Sequence, residues 1–288
     1  MARVTRRKVP VTSSSKQPSA SGSSNPHSSR TLIRRFHVLL KKQTRLRKEP
    51  ANVSNKQALA AVEKEIEELG GLSAYQRMSA IGQGNDRGGG TEKIFVEWLK
   101  ELEWNHVKGK GKHKLLEVGA LKPDNYNSCS SWLDVQSIDL HSQHSSILEQ
   151  DFLLMDAVHH QGKWDLISLS LVVNFVPDAH DRGRMLQLAH RMLRRDGLLF
   201  LALPLPCVTN SRYTTSEHLR ALMEMIGFTQ LQERWKPGGK MAYWLYRKAE
   251  PATLPRDHRF LRKTVLRQGN RNNFAILLQS TTASSPSG

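Results

Sequence analysis

The sequence lacks the features of a secreted, disulfide-stabilised or membrane-spanning protein. Its two cysteines, Cys129 and Cys207, are too few for a disulfide framework or a cysteine-based zinc site. No apolar run approaches the roughly 20 residues that a membrane helix needs, and the N-terminus has no apolar signal-peptide core. Among 12 histidines, His159 and His160 are adjacent, and neighbouring side chains on a helix or strand point apart. We therefore expect a soluble, intracellular protein that binds no metal.

Acidic residues are absent from the first 48 positions, which carry 13 lysines and arginines. Residues 251–288 carry six basic side chains against Asp257, and the chain between these two ends has a net charge of −1. This distribution is typical of a neutral catalytic domain that cationic arms hold on nucleic acid, because contacts to phosphates give affinity without sequence information. The charge pattern therefore predicts a polyanionic partner.

The N-terminal basic segment allows more than one interpretation. Residues 30–48 could form a basic amphipathic helix, a pattern also found in helices that lie on membrane surfaces. The basic run at 6–8, or the later cluster, could instead serve as a nuclear-import signal. These interpretations are compatible. The apolar side of the helix would consist of Leu32, Phe36, Leu39 and Leu40.

The remaining sequence predicts a small helical segment followed by an α/β domain. Residues 1–30 are rich in serine and poor in large apolar side chains, so we expect them to be disordered. From residue 114 onward, apolar strand-like runs alternate with helical periodicity, which indicates a doubly wound parallel sheet. Helices are predicted at 56–69, 92–102, 181–194 and 216–226, and strands at 114–118, 135–139, a short segment ending near Phe152, 163–173 and 197–204.

The last strands should run antiparallel. Segments 229–235, 240–248 and 273–279 have strand-like patterns, and Pro237, Gly238 and Gly239 form a turn between the first two. An antiparallel hairpin that closes a parallel sheet is typical of S-adenosylmethionine-dependent methyltransferases and not of dehydrogenases. We therefore predict a Rossmann-like class I methyltransferase fold with a seven-stranded, mostly parallel sheet. The predicted divisions are a basic, largely disordered arm (1–50), a helical segment with a Gly-rich loop (51–110), the methyltransferase domain (111–280) and a disordered tail (281–288).

Two strand ends indicate the adenosine half of a cofactor site. The first strand breaks at Gly119, which would let the backbone approach a ligand, and the second ends about twenty residues later at Asp139, whose carboxylate suits two ribose hydroxyls. The phosphate-binding pattern G-x-G-x-x-G is missing, which favours S-adenosylmethionine over a dinucleotide. Glu117 could bind the amino group of that cofactor. The alternative is an ordinary strand and turn, which any α/β domain contains.

The end of the fourth strand is the predicted catalytic region. Asn174, Phe175 and Pro177 resemble a relaxed form of the Asn-Pro-Pro-aromatic motif of amino-directed methyltransferases, with one proline missing. In that motif the asparagine oxygen and a backbone carbonyl accept hydrogen bonds from the target nitrogen, and the aromatic ring stacks on the base. A polar cap between strand and helix is the structural alternative.

Two further segments are open to two interpretations each. Arg212 and Tyr213 lie where substrate-binding loops occur in this fold, but Arg212 could instead cap a helix or pair with a surface acid, and Tyr213 could pack under the next helix. Residues 75–77 could form a lid over the cofactor with hinges at Gly82, Gly84 and the triple glycine at 88–90, or belong to a plain linker.

Several strings together resemble a known family. LLEVGALKPDNY, SIDLHSQ, ILEQDFL, LSLVVNFVPDAHDRGRML, LFLALPLPCVTNSRY and RNNFAILL are similar to the fungal 25S ribosomal RNA adenine-N(1)-methyltransferases, over about residues 75–278. The resemblance implies a nucleolar enzyme, monomeric by our expectation, that methylates one adenine of large-subunit ribosomal RNA within a pre-ribosomal particle. It implies S-adenosylmethionine as cofactor, with Asp151 and Phe152 flanking the adenine ring. The expected cofactor-binding set is Glu117, Gly119, Asp139, Leu140, Asp151, Phe152 and Ser170.

Animal relatives with a similar core imply an alternative function. They sense S-adenosylmethionine and regulate TOR signalling through protein partners without transferring the methyl group. The cationic arms of this chain favour the RNA enzyme. In that enzyme Asn174 or a nearby carbonyl would orient the exocyclic amine of an unpaired or flipped adenine, and Phe175 or Tyr213 would stack on the base.

Overall fold

A single mixed sheet forms the centre of the protein. The computed structural model describes residues 52–71, 90–106, 111–142, 144–250 and 258–279, together with Ala74 and isolated positions between 32 and 50. Within these residues seven strands are arranged in the order β3-β2-β1-β4-β5-β7-β6. The strands are β1 (His113–Val118), β2 (Leu133–Asp139), β3 (Leu148–Glu149), β4 (Trp164–Ser170), β5 (Leu193–Pro204), β6 (Phe228–Arg234) and β7 (Met241–Lys248).

Strand direction determines where a ligand can bind. The first five strands are parallel, β7 pairs antiparallel with both β5 and β6, and β1 lies between β2 and β4. The chain therefore reverses its winding at β1, and such a switch point opens a crevice beyond the carboxyl ends of the strands. This topology confirms the predicted methyltransferase fold, including its antiparallel hairpin.

Helices cover both faces of this sheet. The described helices are α1 (Val53–Glu68), α2 (Glu92–Glu101), α3 (Ala179–Met192), α4 (Pro206–Thr209) and α5 (Ser216–Ile226). On one face α3 and α5 pack in the larger core, whereas Phe95, Trp98 and Leu99 of α2 pack on the other. Asp178 caps α3 by accepting from the backbone N–H groups of His180 and Asp181. The predicted helices are therefore present, with ends that differ from the prediction by at most three residues.

The N-terminal basic segment forms helix at its described positions between 32 and 47. Phe36, Leu39 and Leu46 are buried, and the two leucines pack on Val62 of α1. Arg47 also forms an ion pair with Glu63 of α1 at 2.9 Å. At these positions the chain is helical rather than disordered, because its apolar side is covered by α1.

The predicted strand at 273–279 is the main error in the fold prediction. This segment, which we call the C-terminal strap, has no ladder of sheet hydrogen bonds and instead crosses the beginning of α3. The Leu277 N–H donates to the carbonyl oxygen of Ala179 at 2.9 Å, and the Leu278 N–H donates to that of Phe260 at 2.8 Å. Its five central apolar side chains are buried, so the apolar pattern was detected correctly but its hydrogen-bonding partner was not.

The fourth strand also ends earlier than predicted. It stops at Ser170 because Leu171 has a φ of 58°, which no regular strand contains. Residues 1–30, the lid residues 75–77 with Gly82 and Gly84, and the tail 281–288 lie outside the described residues. Within the described part of the chain, no helix is long and apolar enough to cross a membrane, and no group of three or more metal-binding side chains is found.

Candidate cofactor and substrate site

The turn after β1 is built around Gly119, as predicted. Its φ of 76° lies in the left-handed region, and a Cβ atom there would be 2.7 Å from Cγ2 of Val172. The N–H groups of Gly119 and Ala120 both donate to the carbonyl oxygen of Ile138, at 2.8 and 3.1 Å. The turn is thereby fixed against the end of β2, and only glycine fits its backbone and its space.

Glu117 provides a buried carboxylate beside this turn. Its side chain is 7% exposed, and its two oxygens accept hydrogen bonds from Nδ2 of Asn125 at 2.6 Å and from Oγ of Ser137 at 2.8 Å. Burial raises the pKa of Glu117, and the nearby charges of Glu92 and Asp124 raise it further, although the two hydrogen bonds lower it. Three acidic groups thus create a negative potential that suits a cationic ligand.

Asp139 lies at the carboxyl end of β2, next to the Gly119 turn. Its Oδ1 accepts a hydrogen bond from the N–H of His141 at 2.9 Å, which fixes the orientation of the carboxylate. Its backbone oxygen accepts from the N–H of Gln150 at 2.9 Å, and this bond ties the end of β2 to the chain after β3. The adjacent Leu140 is 55% exposed, so it can cover the face of a bound ring.

Three other predicted cofactor residues have structural contacts of their own. Asp151 caps a short 3₁₀ turn by accepting from the N–H of Leu153 at 2.8 Å. Phe152 is 3% exposed and packs in the larger core. Ser170 forms a 2.5 Å hydrogen bond with the hydroxyl of Thr91, which immediately precedes α2. The start of α2 therefore reaches the strand edge. Thr91 was not predicted as a site residue, because helix periodicity gives no information about this contact.

Asn174 has the most unusual environment in the region after β4. Its side chain is 8% exposed, and among the described residues no donor reaches its Oδ1 atom. A buried acceptor without a partner costs roughly 1–3 kcal/mol, so native structures seldom retain one. Phe175 follows in a turn, half-buried, and its N–H donates to the carbonyl oxygen of Val172 at 2.9 Å. An acceptor of this kind suits an amine that arrives with a substrate.

A buried arginine holds this turn in place. Arg182 of α3 is 2% exposed and donates to the carbonyl oxygens of Val176 at 2.8 Å, Pro177 at 3.3 Å and Ala275 at 2.6 Å. Burial lowers its pKa to about 10. The guanidinium also lies 4.7 Å from the ring centre of Phe274. One side chain therefore joins the Asn174 turn to the C-terminal strap. This role of Arg182 was not predicted, because an arginine in a helix is usually exposed.

The loop after β5 is bound to the C-terminal segment. Arg212 donates from one guanidinium nitrogen to Oδ1 of Asn273 at 3.1 Å and from another to the carbonyl oxygen of Gly269 at 3.3 Å. Neither of the structural roles considered for Arg212, a helix cap or a surface ion pair, describes these contacts. Tyr213 is half-buried, and Nζ of Lys263 lies 5.7 Å from its ring centre.

The predicted residues lie on one edge of the sheet, in two groups. Glu117, Gly119 and Asp139 form the first group at the ends of β1 and β2. The second group lies at the ends of β4 and β5 and includes Asn174. Parallel strands place all these ends on the same side, so a cofactor over β1 and β2 would have its neighbouring substrate over β4 and β5. Asp151 and Phe152 follow β3, at the edge of the first group.

Comparison with protein families gives one match that spans most of the chain. Residues 60–276 match the model described as 25S rRNA (adenine(2142)-N(1))-methyltransferase, Bmt2. The match includes both groups of predicted residues and most of the C-terminal strap.

Two curated proteins are similar over nearly the whole chain. The 25S rRNA adenine-N(1) methyltransferase of Schizosaccharomyces pombe is 36% identical over 253 residues, covering 85% of this chain and 89% of the relative. The 25S rRNA (adenine(2142)-N(1))-methyltransferase of Saccharomyces cerevisiae is 32% identical over 247 residues, covering 85% and 71%. Among solved structures, the 1,6-didemethyltoxoflavin-N1-methyltransferase of Burkholderia thailandensis has a TM-score of 0.47 at 15% identity, over 70% of this chain and 93% of that one.

Proposed function

The chain belongs to the family of 25S rRNA (adenine-N(1))-methyltransferases, and on that premise we propose that it transfers the methyl group of S-adenosylmethionine to N1 of an adenine in large-subunit ribosomal RNA. The proposal includes a nucleolar location and a pre-ribosomal particle as the physical form of the substrate. The observation that carries it is the buried Oδ1 of Asn174, which has no donor among the described residues and follows β4, the strand that pairs with β1.

The residues at the ends of β1 and β2 fit this cofactor. Gly119 allows the left-handed turn that ends β1, the Asp139 carboxylate can accept from ribose hydroxyls, and Glu117 with its acidic neighbours favours a molecule that carries both an ammonium and a sulfonium. When bound, S-adenosylmethionine supplies a methyl group that is already activated for transfer to a nitrogen lone pair.

The residues that follow β4 orient the target adenine. Adenine N1 is neutral and carries its lone pair in the plane of the ring, so no base is needed to activate it. Oδ1 of Asn174 can accept from the exocyclic amine next to N1, which fixes the direction of that lone pair. S-adenosylmethionine held by Glu117, Gly119 and Asp139 would supply the methyl group, and the purine would take over the positive charge that leaves the sulfur. The acidic groups around Glu117 stabilise positive charge in this region.

Methylation of adenine N1 blocks Watson–Crick pairing, which makes the product directly measurable. We expect purified protein with S-adenosylmethionine to produce a reverse-transcription stop at one adenine of large-subunit RNA or of pre-ribosomal particles. Asp139→Ala should abolish the stop through loss of cofactor binding. Asn174→Ala should lower kcat by about 100-fold without weakening cofactor binding, since it removes one oriented hydrogen bond.

The control is Gln187→Ala, which truncates a half-buried amide on α3, away from the strand edge. This variant should retain wild-type kcat. Unmodified RNA from wild-type protein that nevertheless binds S-adenosylmethionine tightly would contradict the proposal and favour a cofactor-sensing role. Wild-type kcat in Asn174→Ala would show that the asparagine does not orient the base.

A further inference from the structure

Positive charge is concentrated in one described segment near the C-terminus. Residues 258–279 contain five lysines and arginines and no acidic residue. Arg262 and Lys263 are exposed, and Arg271 is half-buried. Within the part of the chain that the structure describes, no ion pair links any of these three side chains to an acidic group. We call Arg262, Lys263 and Arg271 the cationic edge.

The cationic edge is fixed to the loop after β5. The backbone of Arg212 donates to the carbonyl oxygen of Asn272 at 2.9 Å and accepts from the N–H of Leu266 at 2.9 Å. Asn272 also pairs with Ser211 in a parallel bridge. This loop begins at the carboxyl end of β5, beside the end of β4 where Asn174 lies. The cationic edge therefore borders the substrate side of the site.

Another arginine shows why the segment holds its position. Arg267 donates to four backbone carbonyls of the β5 loop, those of Val208, Thr209, Ser211 and Thr214. Its guanidinium thus has a structural use, and burial lowers its pKa. The cationic edge has no comparable set of internal carbonyl contacts. Lys263 lies over the ring of Tyr213. Arg271 donates to the carbonyl oxygen of Gln268 at 2.8 Å and to Oδ1 of Asn210 at 3.5 Å. The segment is anchored by one arginine and presents others outward.

We propose that the cationic edge binds phosphate groups of the RNA strand on one side of the target adenine. This inference rests on the proposed function, because it names the surface on which the same substrate docks. A basic strip beside a base-binding site, with an aromatic ring next to it, is the arrangement by which proteins bind single-stranded nucleic acid. The cationic edge contributes affinity and register, while Asn174 acts on the base.

The test compares two variants with the same change of charge. Arg262→Gln/Lys263→Gln removes two charges from the cationic edge. Arg195→Gln/Arg247→Gln removes two exposed charges near the start of β5 and the end of β7, at the opposite edge of the sheet. Binding of an RNA fragment that contains the target adenine is measured by filter binding over a range of salt concentrations, alongside S-adenosylmethionine affinity and the kcat and KM of methylation.

We expect the cationic-edge variant to raise Kd and KM for RNA by about tenfold near 0.1 M salt. The slope of log Kd against log salt should become shallower by about one for each phosphate that the variant no longer binds. Cofactor affinity and kcat at saturating RNA should remain at wild-type values, and the control variant should bind RNA as the wild type does.

Two outcomes would overturn the inference. RNA affinity and salt slope equal to wild type would show that these side chains do not meet phosphates, and an equal loss in the control would show a dependence on total charge alone. The binding assay needs no methyl transfer. A wild-type protein that binds RNA through the cationic edge but leaves it unmethylated would therefore support the docking surface and contradict the proposed function.

Discussion

At the scale of single residues, Glu117 has opposing effects on folding and on ligand binding. Burial raises its pKa, which means that the folded protein disfavours the ionised carboxylate. Folding therefore gains most from this group while it is protonated, and the gain is lost as the pH rises through its elevated pKa. A bound cation would reverse the preference, because it favours the carboxylate. The residue is suited to binding more than to stability.

This balance predicts the behaviour of Glu117→Gln. The amide keeps the shape and can still contact Asn125 and Ser137 but carries no charge. At pH 7–8 we expect the unliganded variant to be at least as stable as the wild type in urea unfolding, whereas its affinity for S-adenosylmethionine falls by tenfold or more. The stability advantage of the variant over the wild type should shrink as the pH is lowered toward the ordinary pKa of a glutamate side chain. A clear loss of stability at pH 8 would show that the ionised form supports the fold.

Residues with a simple structural requirement could be predicted from the sequence, whereas residues defined by tertiary contacts could not. A glycine after a buried strand and an acid at the end of the next follow from the geometry of parallel strands, and the structure places Gly119 and Asp139 at those ends. Arg182 follows from no local pattern, since its three acceptors come from the turn before α3 and from a segment about ninety residues away. Thr91 was missed for the same reason.

At the scale of elements, α3 and the C-terminal strap form one unit. Gly183 permits their contact, because a Cβ atom there would lie 1.9 Å from the carbonyl oxygen of Leu277. The strap resembled a strand because its apolar run is as buried as a strand. It is not one, because its backbone bonds to α3 and neighbouring loops instead of to a strand. The sequence showed that this segment is buried but could not identify what it packs against.

Gly183→Ala tests this packing. Alanine favours a helix over glycine by about 1 kcal/mol, but overpacking against backbone costs about 1–3 kcal/mol and pulls Ala275 away from Arg182. We expect a net loss of about 1 kcal/mol in urea unfolding, the difference between these two effects, with a lower kcat because Arg182 also holds the Asn174 turn. Gly111→Ala is the control, since a Cβ there meets nothing within 4 Å. An unchanged stability in both variants would mean that the strap can shift at no cost.

At the scale of the whole molecule, the excess of positive charge lies outside the part of the chain that contains the predicted site residues at the ends of β1 to β4. The central part is close to neutral, while the N-terminal 48 residues and the C-terminal segment are basic. Acidic groups near Glu117 favour a small cation at the ends of β1 and β2, and the basic parts favour a polyanion. Under the proposed function, these opposite potentials would allow a cationic cofactor and an anionic RNA to bind at adjoining positions without competition between them.

This separation predicts that the cofactor acts on stability independently of RNA. A ligand at 100 times its Kd stabilises the folded state by about 2.7 kcal/mol, which corresponds to a rise in Tm on the order of 5–10 °C for a domain of this size. We expect S-adenosylmethionine to give this rise in wild type and in Arg262→Gln/Lys263→Gln, and little or none in Asp139→Ala. The shift should persist at 0.5 M salt, where RNA binding is weak, because Glu117 is buried and salt screens buried charges much less than exposed ones. A shift that disappeared with salt would place the cofactor on the exposed basic surface instead of at the strand ends.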